Sequence, residues 1–104
     1  MQIKVIESDW KLFRSRMADW QEAYMDRLNK TYMEILIGEG PASEKFWKLH
    51  DSIRQDRKSP GVMIERLSRS NMIPDIRRLL VQGVIQSDDL EDFSDELKAV
   101  FCFQ

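Results

Sequence analysis

From Asp9 to Ile37 the chain runs without a glycine or a proline, and no other stretch limits the possible folds as much. At helical spacing Trp10, Phe13, Met17, Trp20, Tyr24, Leu28, Thr31 and Ile35 follow one another by three or four residues, so one face is apolar except at Thr31. A helix of that length is about 40 Å long, whereas a compact domain of this chain length is about 33 Å across. One end therefore overhangs unless another element covers it. At the end of the stretch, Tyr32, Met33, Ile35, Leu36 and Ile37 occupy most of the circumference, which predicts burial among several elements and the centre of the core. Ser8 or Asp9 supplies an N-cap oxygen at its start.

The remaining chain predicts four shorter helices. Gly38-Glu39-Gly40-Pro41 ends the first, with Gly38 suited to a left-handed residue. A second runs from a Ser43 cap to about Arg57 and turns Phe46, Leu49 or His50, and Ile53 inward. Ser59 and Pro60 form a strong start signal for a third, to about Arg69, burying Val62 or Met63, Ile64 and Leu67. Pro74 fits the first turn of a fourth, which presents Ile73, Ile76, Leu79, Leu80 and Val81 before Gly83; one kinked helix over 61–82 is the alternative. The fifth spans about Ser87 to Phe101, with Ser87 as cap and Leu90, Phe93, Leu97, Val100 and Phe101 as its stripe. Residues 2–7 alternate apolar and polar through Ile3 and Val5, which fits a short strand or an extended lead-in; with no second strand in a helical chain to pair with, the segment reads as coil. The expectation is all-α: residues 1–104 as a single domain, a small bundle of about five helices with one long N-terminal helix.

Few chemistries fit the composition. Formal net charge is −2, so bulk electrostatics favours neither nucleic acid nor an anionic membrane. No stretch approaches the roughly 20 apolar residues of a membrane span. The single cysteine, Cys102, is compatible with a reducing compartment, and the first residues lack the pattern of a signal peptide, so a cytoplasmic protein is expected. His50 is the only histidine; no nucleophile motif surrounds it, and a catalytic pair would need a serine or cysteine brought to it with a carboxylate such as Asp51. Ligand spacing for zinc or calcium and glycine-rich phosphate loops are missing from the sequence. The expectation is a non-enzymatic protein with no catalytic residue, no cofactor and no metal.

Charge is unevenly spread. Between Arg54 and Arg78 lie seven basic residues against three acidic; between Asp88 and Lys98 lie six acidic against one basic. Arg66, Arg69, Arg77 and Arg78 are the candidates for phosphate contact, although helix-turn-helix recognition would need a basic helix after Gly83 and the one there is acidic. Asp88, Asp89, Glu91, Asp92, Asp95 and Glu96 form an acidic face that either neutralises the basic block or binds a basic partner. Three Trp, five Phe and six Met in 104 residues, together with the overlong helix, argue for a contact surface. Its candidates are Trp10, Phe13, Met17, Trp20 and Tyr24 on the first helix, and Phe101 and Phe103 at the C-terminus.

Residues Asp75 to Phe93 resemble the short helical hairpin of the SHOCT domain through Gly83, Ile85, Ser87, Asp88, Asp89 and Leu90; the second helix of that module is rich in lysine, whereas here it is acidic. The resemblance implies an interaction or oligomerisation hairpin without chemistry of its own. Met17-Ala-Asp-Trp-Gln-Glu-Ala-Tyr-Met-Asp-Arg-Leu, Glu44-Lys-Phe-Trp, Lys58-Ser-Pro-Gly-Val and Asp89-Leu-Glu-Asp-Phe-Ser-Asp-Glu-Leu resemble a group of small uncharacterised proteins of anaerobic Gram-positive bacteria, which implies no activity. The function expected is a protein-interaction or regulatory module, such as an accessory protein of a mobile element or its host, acting on a protein partner or on itself as a homodimer. Nucleic-acid binding through the basic block is the alternative.

Overall fold

Helix α1 spans Glu7–Ile37, 31 residues, and at 1.5 Å per residue it is about 46 Å long. In the computed structural model, which describes residues 5–101, it runs along a body measuring 53 × 27 × 24 Å with a radius of gyration of 16.7 Å. A compact chain of this length has a radius of gyration near 13 Å. The overhang expected from the sequence is present, and it is the C-terminal half of α1 that projects.

The core wraps only the first half of α1. Trp10, Phe13, Met17 and Trp20 are buried against helix α3 (Met72–Val81), helix α4 (Asp95–Val100) and the connection between them. Met72, Ile76, Leu79, Val84, Ile85, Leu90, Phe93, Leu97 and Phe101 supply the other side. A buried side chain of this size contributes about 1.5–3 kcal/mol, and here the contributions concentrate at one end of the molecule. Helix α2 (Ala42–Asp56) doubles back along the projecting half of α1 and buries no residue completely. Met33, Leu36 and Ile37 are exposed, so the all-round apolar end of α1 is not the core centre that its pattern predicts. Among the described residues α3 and α4 supply only 10 and 6 helical residues, and both pack at the other end of α1.

The described residues contain four α-helices and no strand, one helix fewer than expected. The missing one is the third. Ser59 starts it: its carbonyl accepts from Val62 N and Met63 N, both at 3.0 Å. The turn then stops, because its residues are anchored on α1. Gly61 is buried against Tyr24, whose ring would lie 2.4 Å from a Cβ added there, and Gln21 Nε2 donates to the Pro60 carbonyl at 3.0 Å. Eight residues later Arg69 pairs with Glu7 at the other end of the core. Tyr24 and Glu7 are 17 residues apart on α1, about 25 Å. Eight helical residues cover only about 12 Å, whereas eight extended ones reach about 27 Å. Residues 63–68 are accordingly extended or bent, and a single helix over 61–82 is excluded for the same reason.

Several caps differ from their sequence assignments. The N-cap of α1 is Ile6, without a side-chain bond. Asp9 is instead buried, accepting from Ser94 N at 2.8 Å and Ser94 Oγ at 2.5 Å, while Ser94 Oγ accepts from Leu97 N. It ties the start of α1 to the start of α4. α2 begins at Ala42 with Pro41 as cap in place of Ser43. Gly38 has φ −66°, and the positive φ falls on Gly40. The segment expected as one helix over 87–101 divides into a 3₁₀ turn at Ser87–Leu90, capped by Gln86, and α4, capped by Ser94. Pro74 sits in the first turn of α3, as its position in the sequence requires, and Gly83 (φ 70°) ends that helix with Val84 N bonded to the Leu79 carbonyl at 2.9 Å. Of the expected lead-in, Val5 and Ile6 are described and Ile3 lies outside the described residues.

Two substitutions test this architecture. Gly61→Ala forces its methyl into the Tyr24 ring and is expected to destabilise the protein by about 1–3 kcal/mol in urea unfolding. Asp9→Ala strands the Ser94 donors at the α4 terminus and is expected to cost about 1–3 kcal/mol in the same measurement. Wild-type midpoints for both variants would refute these anchors.

Candidate functional site

The expected contact stripe is largely interior. Trp10, Phe13, Met17, Trp20 and Phe101 belong to the chain's own core, and Trp10 is flanked by the guanidinium groups of Arg14 and Arg69 at 5.7 and 5.5 Å from its ring. Tyr24 is half-buried under Gly61. Phe103 lies outside the described residues. The projecting half of α1 is the one beyond Trp20, C-terminal to these buried residues.

Most of the exposed large apolar side chains lie on the hairpin of α1 and α2; Met63, Leu67 and Val81 are exposed elsewhere. The hairpin's internal seam is formed by half-buried Leu28, Tyr32 and Ile35 with Lys45, Leu49, Ser52 and Asp56. Beside that seam runs a groove of about 240 Å³ lined by Met25, Leu28, Asn29, Tyr32, Ile53 and Val62, with Asp56 and Arg57 at its root. By helical periodicity Met25, Asn29 and Leu36 share one flank of α1, with Met33 next to it, and Phe46 and Ile53 share the facing flank of α2. Phe46 is 62% exposed, Trp47 58% and Ile37 81%. Phe46 and Trp47 meet edge to face at 5.0 Å, and Trp47 meets His50 the same way at 5.5 Å. Three aromatic rings on one surface helix are far more apolar area than folding needs.

One polar contact pins the hairpin. The Tyr32 hydroxyl donates to Asp56 Oδ2 at 2.5 Å. Burial first, and then the Asp56 carboxylate, pushes the phenol from its ordinary 10 up to about 12.

The basic block does not form one face. Arg69 makes a bidentate pair with Glu7 at 2.8 and 2.9 Å, which holds the Glu7 carboxyl below its ordinary value. Arg77 lies over the Phe101 ring at 5.5 Å. Arg66 and Arg78 line a cleft of about 410 Å³ with Arg57, Lys58, Glu65 and Asp75. Burial raises the Asp75 carboxyl above its ordinary value while Arg78, 3.8 Å away, opposes the shift. Asp75 Oδ2 is buried without a hydrogen-bond partner.

The acidic block is spent partly on structure. Asp89 Oδ2 accepts from Gln86 N at 2.7 Å, Asp92 pairs with Arg16 at 2.7 Å and Asp95 lies 3.5 Å from Lys98. Asp88, Glu91 and Glu96 are exposed. The two charged blocks therefore neutralise against α1, through Glu7 and Arg16, and not against each other. His50 is exposed on α2, its Nδ1 3.4 Å from Asp51 Oδ1. Among the described residues no group of three His, Cys, Asp or Glu side chains is placed to hold a metal ion, and no helix is long and apolar enough to cross a membrane. No protein-family model, characterised protein or solved structure matches the chain.

Sequence reasoning missed the Phe46, Trp47 and Leu36 surface. The available signal was that α2 carries Lys45, Lys48, Asp51, Ser52 and Arg54 among its apolar residues, too few inward positions to bury two aromatic rings.

A phenol raised in the folded state stabilises the fold fully below pH 10, and that contribution is lost as pH rises from 10 to 12. Alkaline absorbance titration is expected to show one tyrosine ionising near pH 12, and Tyr32→Phe to remove it and lower stability at pH 8 by about 1 kcal/mol. A titration unchanged by Tyr32→Phe would disprove the Asp56 contact.

Proposed function

We propose that the chain is a non-enzymatic protein-interaction module whose contact surface is the open face of the α1–α2 hairpin. The observation that carries this reading is the exposure of Phe46, with Trp47 next to it, on α2 and of Leu36 and Met33 on the facing flank of α1, with the apolar groove nearer the root. Aromatic residues and methionine are enriched at the cores of protein interfaces, where they bury large areas at little entropic cost. The hairpin also suits this role mechanically. It is rooted in the core through α1 and pinned by Tyr32–Asp56 and by Arg27, which donates to the carbonyls of Gly83 and Val84 at 3.0 and 3.1 Å, so its face is presented on a stiff support. An accessory or regulatory role in the cytoplasm, for a mobile element or its host, fits a small adaptor of this kind.

Nucleic-acid contact is a second reading, supported by Arg57, Lys58, Arg66 and Arg78 around one cleft. Such binding would weaken steeply with salt. With Arg69 and Arg77 drawn into contacts of their own, fewer cations are free for phosphate than the sequence suggests.

The test is photo-crosslinking inside cells with a photoreactive phenylalanine analogue in place of Trp47. Protein adducts are expected from this site and not from the same analogue at Lys11, which is exposed on α1 at the core end. Equal yields at the two sites would refute the proposal.

A further inference from the structure

We infer that the occupant of the hairpin face is a second copy of this chain, seated antiparallel about a two-fold axis that crosses the hairpin at right angles, so that two hairpins close a four-helix bundle. This rests on the reading of the hairpin as a contact surface and adds the identity of what covers it.

The first support is area. A chain of 12.4 kDa that folds compactly exposes about 6,100 Å², whereas this one exposes 7716 Å². The excess of about 1,600 Å² exceeds the roughly 800 Å² that each partner buries in a standard stable interface. Of the nine large apolar side chains exposed among the described residues, six lie on the hairpin: Met33, Leu36, Ile37, Phe46, Trp47 and Ile53.

Shape is the second support. Two antiparallel helices with a groove between them are half of a four-helix bundle, and an isologous contact needs a face that fits itself. By helical periodicity one ridge carries Met33 and Leu36 and the other Phe46 and Ile53, and at the root the groove over Leu28 and Tyr32 runs between Met25 and Ile53. The charged residues of α2 from Lys45 to Arg54 lie off this flank by helical periodicity; Arg57, at the root of the groove, is the cation on it, and it needs an acidic group from whatever covers the face.

Charge along the hairpin sets the direction. From Glu34 to Glu44, around the tip, there are three acidic residues and no basic one. From Arg54 to Lys58, at the root, there are three basic residues and one acidic, Asp56, which already accepts from Tyr32. Antiparallel seating sets each acidic tip beside the other copy's basic root, while parallel seating opposes like charges.

The experiment is light scattering on the purified chain, with Leu36→Asp and Phe46→Asp as variants. Both side chains are exposed in the single chain, so circular dichroism should be unchanged. The expected result is twice the chain mass for the wild type and the single-chain mass for both variants. In a Cys102→Ser background, a mixture of Ile37→Cys and Ile53→Cys chains should cross-link to each other in preference to themselves. A wild-type chain that stays monomeric to millimolar concentration overturns the inference: the hairpin reading survives if Trp47 adducts contain another protein and falls with it if there are none. A dimer that persists in both Asp variants also overturns it, as does preferential Ile37→Cys self-linkage.

Discussion

The 31-residue α1 outruns the helices of 15, 10 and 6 residues that pack on it, and the rest of the structure follows from how that excess length is shared. About four turns of α1 have their apolar face buried by α3, α4 and the residues linking them. The other turns receive only α2, which lies alongside without enclosing them. One helix therefore serves as the central beam of a core and as one arm of a projecting hairpin. Continuity of the helix couples the two, so the hairpin's position is inherited from packing at Phe13, Met17 and Trp20.

The connections hold this arrangement by anchoring both ends of an extended strap. Ser59-Pro60-Gly61 is pressed onto α1 at Tyr24, and Arg69 is held at Glu7. The residues between must span the core's length along α1, which prevents them from coiling. Asp9 acts similarly at the far end, where its carboxylate serves as acceptor for the first turn of α4. Charged groups that could have been read as binding faces, Arg69, Asp92 and Asp89 among them, close contacts within the chain. Several of the charges are thus used within the chain, while the apolar side chains Phe46, Trp47, Leu36 and Met33 stay exposed. That contrast is why a contact module is a better reading than a phosphate-binding one.

Much of the fold was legible from the residues. The uninterrupted apolar period from Trp10 onward specifies α1, Pro74 and Gly83 bracket α3, and the phase of Leu90, Phe93, Leu97 and Phe101 identifies the inward side of the C-terminal segment even though that segment breaks at Ser94. The candidate site was legible only as a category. Excess aromatic content pointed to a contact surface, but the residues chosen were those with the cleanest helical stripe, and a clean stripe is what the chain buries first for itself. Phe46 has the phase of an inward residue, with Leu49 and Ile53, yet it is exposed together with Trp47, because the seam with α1 is formed by Lys45, Leu49, Ser52 and Asp56 and a two-helix hairpin can turn only one side inward.

Local chemistry determined, without reference to any fold, where helices are possible: backbone propensity, the stops at Gly38–Pro41 and Gly83, and the absence of breakers in α1 act over a few residues, which a sequence displays directly. Tertiary structure decided which half of α1 is covered, whether the turn begun at Ser59 continues, and which carboxylates cap and which pair. Those outcomes depend on distances between residues far apart in the chain. The span from Tyr24 to Glu7 is set by one helix and must be matched by the strap from Gly61 to Arg69, and no local pattern within either segment records that requirement.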